Sequence, residues 1–401
     1  MKKTFPDPVR RSYALSTIVA LIAALSLVGE TYSQDNPLAP ANPLAPANPL
    51  TPAKPGATGG EKIFVPDFIK PGARITYEGG SATQADFNKP ASAGVGISRY
   101  EVIAVTDAKV IVRVASYLRT MNGNGYTFSG GSSVAIDAFT VKSGGAIWID
   151  KNILMGYATD QQTQIVDAPW QIDGRTFDTR SVTTLGTDSA SRFVWDRGTG
   201  LLLANQICSG AMRPGMKDPF MRQNTSNISF KSFRQLDVPW AGAPFPEWAK
   251  TVRKLHYRGQ QTLVGGVGPT ISSPFSNTVE FTERGESWAI GISTTEYPQQ
   301  PASKSAIATG SAALGGYWMN PDALAKLEAG VVDEDQVVGS TTTYQVAQTQ
   351  MGQLGVLTES NAAQTYRLNW AYDLNDGALI YACVEMNELN LKVELMLDGR
   401  E

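Results

Sequence analysis

Histidine and cysteine are almost missing from this chain, with one histidine and two cysteines in 401 residues. With His256 alone there is no H-E-x-x-H motif and no histidine cluster, so zinc chemistry has little footing. A Ser-His-Asp triad would have to use His256, and no G-x-S-x-G accompanies it. Two cysteines are too few for a disulfide scaffold, and no C-x-x-C occurs. Neither a G-x-x-x-x-G-K-[ST] loop nor a complete G-x-G-x-x-G is present. Charge is thin as well, at 18% charged residues and a net −3. No strong field therefore favours nucleic acid or an anionic membrane. The expectation is a protein without cofactor or metal and without nucleic-acid binding.

What carboxylates there are do not form a motif. The densest run, Asp333-Glu334-Asp335, lacks the ligand spacing of a Ca²⁺ loop and reads as a solvated loop. Glycoside hydrolysis needs two carboxylates held across a cleft, a pairing that only the fold can bring about.

Glycine (38) and proline (23) are abundant, and apolar residues make up 42%. Such a mixture suits a β-rich, turn-rich protein with a weakly charged surface. At the N-terminus, Lys2, Lys3, Arg10 and Arg11 precede an apolar run from Ala14 to Val28. Its length suits a signal-peptide core, being short of the roughly 20 residues a membrane span needs. Small residues at Thr31 and Ser33 allow cleavage after Ser33, and an uncleaved anchor is the alternative. Arg10-Arg11-Ser12-Tyr13 resembles a twin-arginine signal, but Ala14 is a poor match to the apolar residue expected next. No cysteine precedes Cys208, which argues against a lipid-modified N-terminus. The chain is expected to be exported to the periplasm, cell envelope or exterior.

Residues 34–60 read as a spacer. From Pro37 to Pro55 a proline falls at every third position. Polyproline II has three residues per turn, so these prolines stack along one edge. Leu38, Leu44 and Leu50 recur every second turn. The segment reads as a semi-rigid stalk, or as a docking peptide for an envelope partner with the leucines as anchors.

Beyond residue 60 the chain repeats itself. Ala73 to Gly79 (ARITYEG) resembles Arg253 to Gly259 (RKLHYRG), with the period-2 alternation of a half-buried strand. Ala146 to Asp150 (AIWID) resembles Gly316 to Asn320 (GYWMN), each ending at a residue able to cap a short helix. In the second copy Pro321 sits at the first helical position, and Gly330 ends a helix running to Ala329. Trp195-Asp196-Arg197-Gly198-Thr199-Gly200 matches Tyr372-Asp373-Leu374-Asn375-Asp376-Gly377. The paired landmarks Tyr77/Tyr257, Trp148/Trp318 and Trp195/Tyr372 lie 180, 170 and 177 positions apart. This near-constant spacing reads as a duplication of one module. Module 1 spans 61–237 and module 2 spans 248–401, with a proline-rich connector at 238–247. Trp240 and Trp248 flank that connector and are placed to seal the two modules together.

Each module is expected to be mainly β, with eight or nine antiparallel strands. A curved sheet or open barrel packed on a short helix is the favoured architecture, with a sandwich as runner-up. Asp196 and Asp373 stand where a side-chain oxygen bonds turn N–H groups. Gly200 and Gly377 stand where φ > 0 is needed, and Trp195 and Tyr372 supply packing faces. These are folding roles. Cys208 and Cys383 follow the turns at spacings that put both on the same face of their strands, pointing inward as buried thiols, or joined as a Cys208–Cys383 disulfide.

The order of Trp strand, short helix and aromatic-Asp-x3-Gly hairpin resembles envelope β-proteins of the lipoprotein-carrier kind. That resemblance implies a half-barrel folded over a helix, with acyl chains bound in the concavity. The sequence thus favours a non-catalytic exported protein that binds an apolar or glycan ligand or an envelope partner. A structural surface component without a small ligand, or a secreted hydrolase using carboxylates, are the alternatives. Oligomeric state is not legible.

Overall fold

The computed structural model describes residues 62–84, 86–88, 92–120, 123, 125–264 and 270–401. The expected signal peptide (1–33) and proline-phased spacer (34–60) lie outside the described residues.

The first half runs β1 (Ala73–Thr83), β2 (Ser92–Val105), β3 (Lys109–Arg119) and β4 (Tyr126–Asp137). Two short helices follow, α1 (Ala138–Lys142) and α2 (Lys151–Gly156). Then come β5 (Thr163–Ile172), β6 (Arg175–Leu185), β7 (Ser189–Asp196), β8 (Leu202–Met212) and β9 (Arg222–Gln235). They form one antiparallel sheet in the order β4-β3-β2-β1-β9-β8-β7-β6-β5. The second half opens with α3 (Glu247–Thr251), then β10 (Lys254–Leu263), β11 (Ile271–Arg284), β12 (Trp288–Glu296) and β13 (Ser303–Gly310). After α4 (Pro321–Ala325) it continues with β14 (Gly330–Asp335), β15 (Ser340–Thr349), β16 (Gly352–Asn361), β17 (Tyr366–Asp373), β18 (Leu379–Met386) and β19 (Leu391–Arg400). Its order is β13-β12-β11-β10-β19-β18-β17-β16-β15-β14.

In each sheet the first and last strands pair at the centre and two meanders run outward, and neither sheet closes. The second sheet follows the path of the first with one strand added, β14. Alternation explains the burial. On β1, Ile75 and Tyr77 enter the core while Arg74 and Thr76 face the other way. The first core is built from its own sheet, α1, α2 and the lead-in segment Ile63–Ile69, rather than from a facing sheet. Trp148 Nε1 donates to Phe64 O at 3.0 Å, tying that segment down.

The caps act as their residue types suggest. The Asp150 side chain accepts from Asn152 N, and Asn320 accepts from Ala323 N with Pro321 following. Helix α1, capped by Asp137, is an element the sequence reading did not anticipate. Helix α4 stops at Ala325, short of the expected Ala329.

Candidate functional site

The two aromatic-Asp-x3-Gly stretches occupy equivalent hairpin turns. Asp196 accepts from Thr199 N at 3.0 Å and Asp373 from Asn375 N at 2.8 Å. Gly200 has φ +79° and Gly377 +75°. Positive φ is one reason for glycine, and close approach is the other. A Cβ on Gly200 would sit 2.1 Å from Ile149 O, and one on Gly377 1.8 Å from Met319 O. Each glycine carbonyl accepts from the residue after a buried tryptophan, Ile149 N at 2.9 Å and Met319 N at 2.8 Å. Trp195 is buried and stacked on Phe193, while Tyr372 donates its hydroxyl to Gly316 O at 2.8 Å. Cys208 and Cys383 are buried free thiols. They share a face as expected, but it is the outer face of each sheet and not the inward one, opposite Ala190 and Asn369, because the bulge after each turn shifts the strand's facing. Burial pushes the Cys383 thiol up to about 11, so it is not an activated nucleophile.

The acidic run requires a correction. Expected as a solvated loop, Asp333-Glu334-Asp335 forms the end of β14, with the Asp333 and Asp335 side chains only 8% and 3% exposed. They face a row of charges on the outer face of the first sheet. Arg234, Arg74, Glu101 and Arg113 stand directly opposite one another across β9, β1, β2 and β3. Arg74 donates to Asp333 at 2.9 Å and Arg234 to Asp333 at 2.8 Å. Arg99 forks onto Glu359 of β16 at 3.2 and 3.1 Å and reaches Asp335 at 3.4 Å. Tyr117 and Tyr366 also donate to Glu359, at 3.0 and 3.1 Å. Four arginines of the first half thus meet Glu101, Asp333, Asp335 and Glu359, and the group is neutral. Burial alone would raise these carboxyls. Arg99 beside Glu359, Arg113 and Arg74 beside Glu101, Arg234 and Arg74 around Asp333, and Arg99 and Arg74 beside Asp335 hold all four below the usual range.

This contact also decides what the inner faces hold. Glu359, Tyr366 and Leu368 lie on the inner face of the second sheet, the face that carries its core. Tyr117, Ile97 and Phe128 from the outer face of the first sheet pack against them, with Tyr117 and Tyr366 ring centres 5.6 Å apart. The first sheet's back therefore fills the second sheet's concavity. Trp240 seals the same junction, buried and donating to Ala313 O at 3.1 Å.

The first sheet's own concavity differs. Register aligns its inner face with that of the second sheet position by position. Phe193, Asn205, Ile228, Gly79 and Gly96 form one row across β7, β8, β9, β1 and β2. The second sheet's counterparts are Trp370, Ala382, Leu395, Gly259 and Phe275. In the next row Ser191, Ile207, Ser226 and Ser81 replace Leu368, Val384, Val393 and Gln261. Beyond it Ser189, Ser209, Asn224 and Thr83 replace Tyr366, Met386, Leu391 and Leu263. Tyr366, Met386 and Leu391 are buried, whereas Ser189, Ser209, Asn224 and Thr83 are exposed. On this serine-rich stretch of the inner face, Asn205 is 6% exposed, and its Oδ1, itself out of reach of solvent, has no hydrogen-bond partner. A cleft of about 160 Å³ between Ala82, Arg213 and Thr225 lies on the opposite face and is separate from it. The acyl-binding concavity that the carrier resemblance implies is thus filled in one half and polar in the other. Among the described residues no group of three or more His, Cys, Asp or Glu side chains could hold a metal ion.

No family model and no curated protein matches the chain. Among solved structures it is similar to the Pseudomonas aeruginosa MucA/MucB complex, at 11% identity over 81% of this chain and 89% of that one, with a TM-score of 0.19. It is similar to a DUF1329 family protein from Desulfovibrio piger, at 9% identity over 39% of this chain and 88% of that one, with a TM-score of 0.17. It is also similar to a protein of unknown function of the DUF3598 family from Nostoc punctiforme, at 12% identity over 82% and 96%, with a TM-score of 0.14. TM-scores this low carry no inference for the present chain.

Proposed function

We propose that the chain is an exported, non-catalytic binding protein made of two copies of one curved-sheet module, with a single ligand seat in the first copy. The second copy is a clamp: its concavity grips the back of the first and leaves the first trough free. The carrying observation is the inner-face contrast, with large apolar residues and a docked partner in one sheet and serines around an unpartnered Asn205 in the other. The paired state of the buried carboxylates supports a non-catalytic reading. A glycosidase acid has its pKa raised so that it keeps a proton, and these four are held low by arginine. The targeting segment and the proline-phased stalk support export and display at a distance from an envelope anchor or partner.

The test is to fill the trough as the second sheet is filled. The double variant Ser191→Leu with Ser226→Val copies Leu368 and Val393. In native mass spectrometry of protein from its own envelope fraction, the parent chain carries one co-purifying small molecule and the filled variant none. Two molecules per chain, or one that persists in the filled variant, would overturn the single-seat reading.

A further inference from the structure

We propose that the outer cleft of the first half is a docking seat for an acidic, apolar-flanked segment of a protein partner, with Arg213 as its ion-pairing residue. The cleft holds about 160 Å³ and lies between the start of the β1–β2 loop and the β8–β9 hairpin. It is on the face opposite the serine-rich stretch, so it does not depend on the inner-face seat. Its walls are fixed by the backbone. Gln84 N donates to Gln223 O at 2.8 Å, Arg213 N to Met221 O at 2.8 Å, and Met216 N to Arg213 O at 3.1 Å.

Charge selects the acid. Among the described residues the buried arginines are Arg74, Arg99 and Arg222. The first two meet carboxylates. Arg222, 9% exposed, donates only to backbone carbonyls: Pro219 O and Gly210 O at 2.9 Å, Thr187 O at 3.2 Å and Gly186 O at 3.5 Å. Buried charges are ordinarily paired, and no carboxylate among the described residues neutralises this one. Arg213 on the same cleft is exposed, and its guanidinium has no partner among the described residues. Neither Asp nor Glu lines the cleft. One reachable and one buried positive charge thus meet there without a counter-charge. A carboxylate completes the set, since a guanidinium can fork onto both of its oxygens.

Size and surroundings select a partner's side chain over a free small molecule. Pockets that enclose a small ligand run to roughly 300–1,000 Å³. This cleft is smaller and suits one anchoring side chain, as at the centre of an interface. Phe87 and Met221 offer apolar wall to the stem of a glutamate. The hairpin also exposes Met212 and Met216, unbranched side chains that adapt to a partner's apolar residues. The second half has no such hairpin. Its β18–β19 connection is Asn387–Asn390, against Arg213–Met221 in the first half. The same sheet forms without the long hairpin, so folding does not call for its arginine and methionines.

The experiment passes the full chain over immobilised pools of nonapeptides, random except for a central glutamate, glutamine or lysine, and reads retention by surface plasmon resonance. The glutamate pool binds about tenfold tighter than the glutamine pool, the worth of one charged hydrogen bond, and the lysine pool binds least. Arg213→Gln, at an exposed residue without a partner, keeps the melting temperature and removes the preference for glutamate. The inner-face variant Ser191→Leu with Ser226→Val binds the pools as the parent does; loss of binding there would move the contact to the inner face and overturn the outer seat. Equal binding of the glutamate and glutamine pools, or none, overturns the proposal, as does a glutamate preference that survives Arg213→Gln. Sodium glutarate that binds as tightly as the glutamate pool overturns the protein partner in favour of a small anion.

Discussion

Replacing Glu359 with glutamine should loosen the two halves from each other. The side chain is 1% exposed, and its two oxygens receive Arg99, Tyr117 and Tyr366. Glutamine keeps the volume, and its remaining oxygen keeps both tyrosine hydroxyls. Its Nε2 then faces Arg99 Nη2, which lay 3.1 Å from a carboxylate oxygen, so donor meets donor. Arg99, 7% exposed, is left with Asp335 at 3.4 Å as its nearest counter-charge. Losing a charged hydrogen bond costs roughly 1.5–3 kcal/mol. Leaving a buried charge short of its partner brings the total to about 3–5 kcal/mol. Urea unfolding followed by tryptophan fluorescence measures it. The expected result is a lower midpoint and a split transition as the halves lose their coupling. The double variant Arg99→Met with Glu359→Gln, which removes both charges and keeps an acceptor for the two tyrosine hydroxyls, should recover part of the loss. A single-variant loss under about 1 kcal/mol would refute the claim that this pair carries the junction.

Acid should act on the same group. The four interface carboxyls are held below their usual range, so their contribution is fully present above the unfolded values near 4 and is lost as pH falls through the folded ones. Melting temperature should therefore be flat from pH 7 to about 5 and drop below about 4; a drop between 7 and 5 would contradict the assignment. At the second turn, Gly377→Ala combines a left-handed residue with a Cβ driven against Met319 O, for a loss of about 2–5 kcal/mol. Gly198→Ala, whose Cβ would meet nothing nearer than 3.6 Å, is the control and should cost less than about 1 kcal/mol in the same melt.

Much of the architecture is legible in local pattern. Alternation at Ile75 and Tyr77, the Asn320-Pro321 cap and the paired turn glycines each depend on neighbours a few residues away. The junction is not local. Asp333 and Asp335 look solvated because Arg74 and Arg99, which neutralise them, stand 259 and 236 positions earlier. Arginines on β1, β2 and β3 likewise read as the solvent face of a half-buried sheet until another sheet covers them. The trough had a signal that went unused. The landmarks Tyr77/Tyr257 and Trp195/Tyr372 set the alignment of the two copies. Extending it strand by strand sets Ser191 against Leu368 and Asn205 against Ala382. Similar strands that keep their turns but exchange large apolar residues for serine on one face point to different contents.

The central claim, one open inner face and one filled, can be checked without knowing the ligand. Cysteine is placed at Ser191 or at its counterpart Leu368, and labelling by a maleimide is timed under native conditions. The native Cys208 and Cys383 are buried and serve as the internal baseline. Ser191→Cys should label at the rate of an accessible thiol, and Leu368→Cys should label no faster than the native pair. Equal rates at the two positions would contradict the account.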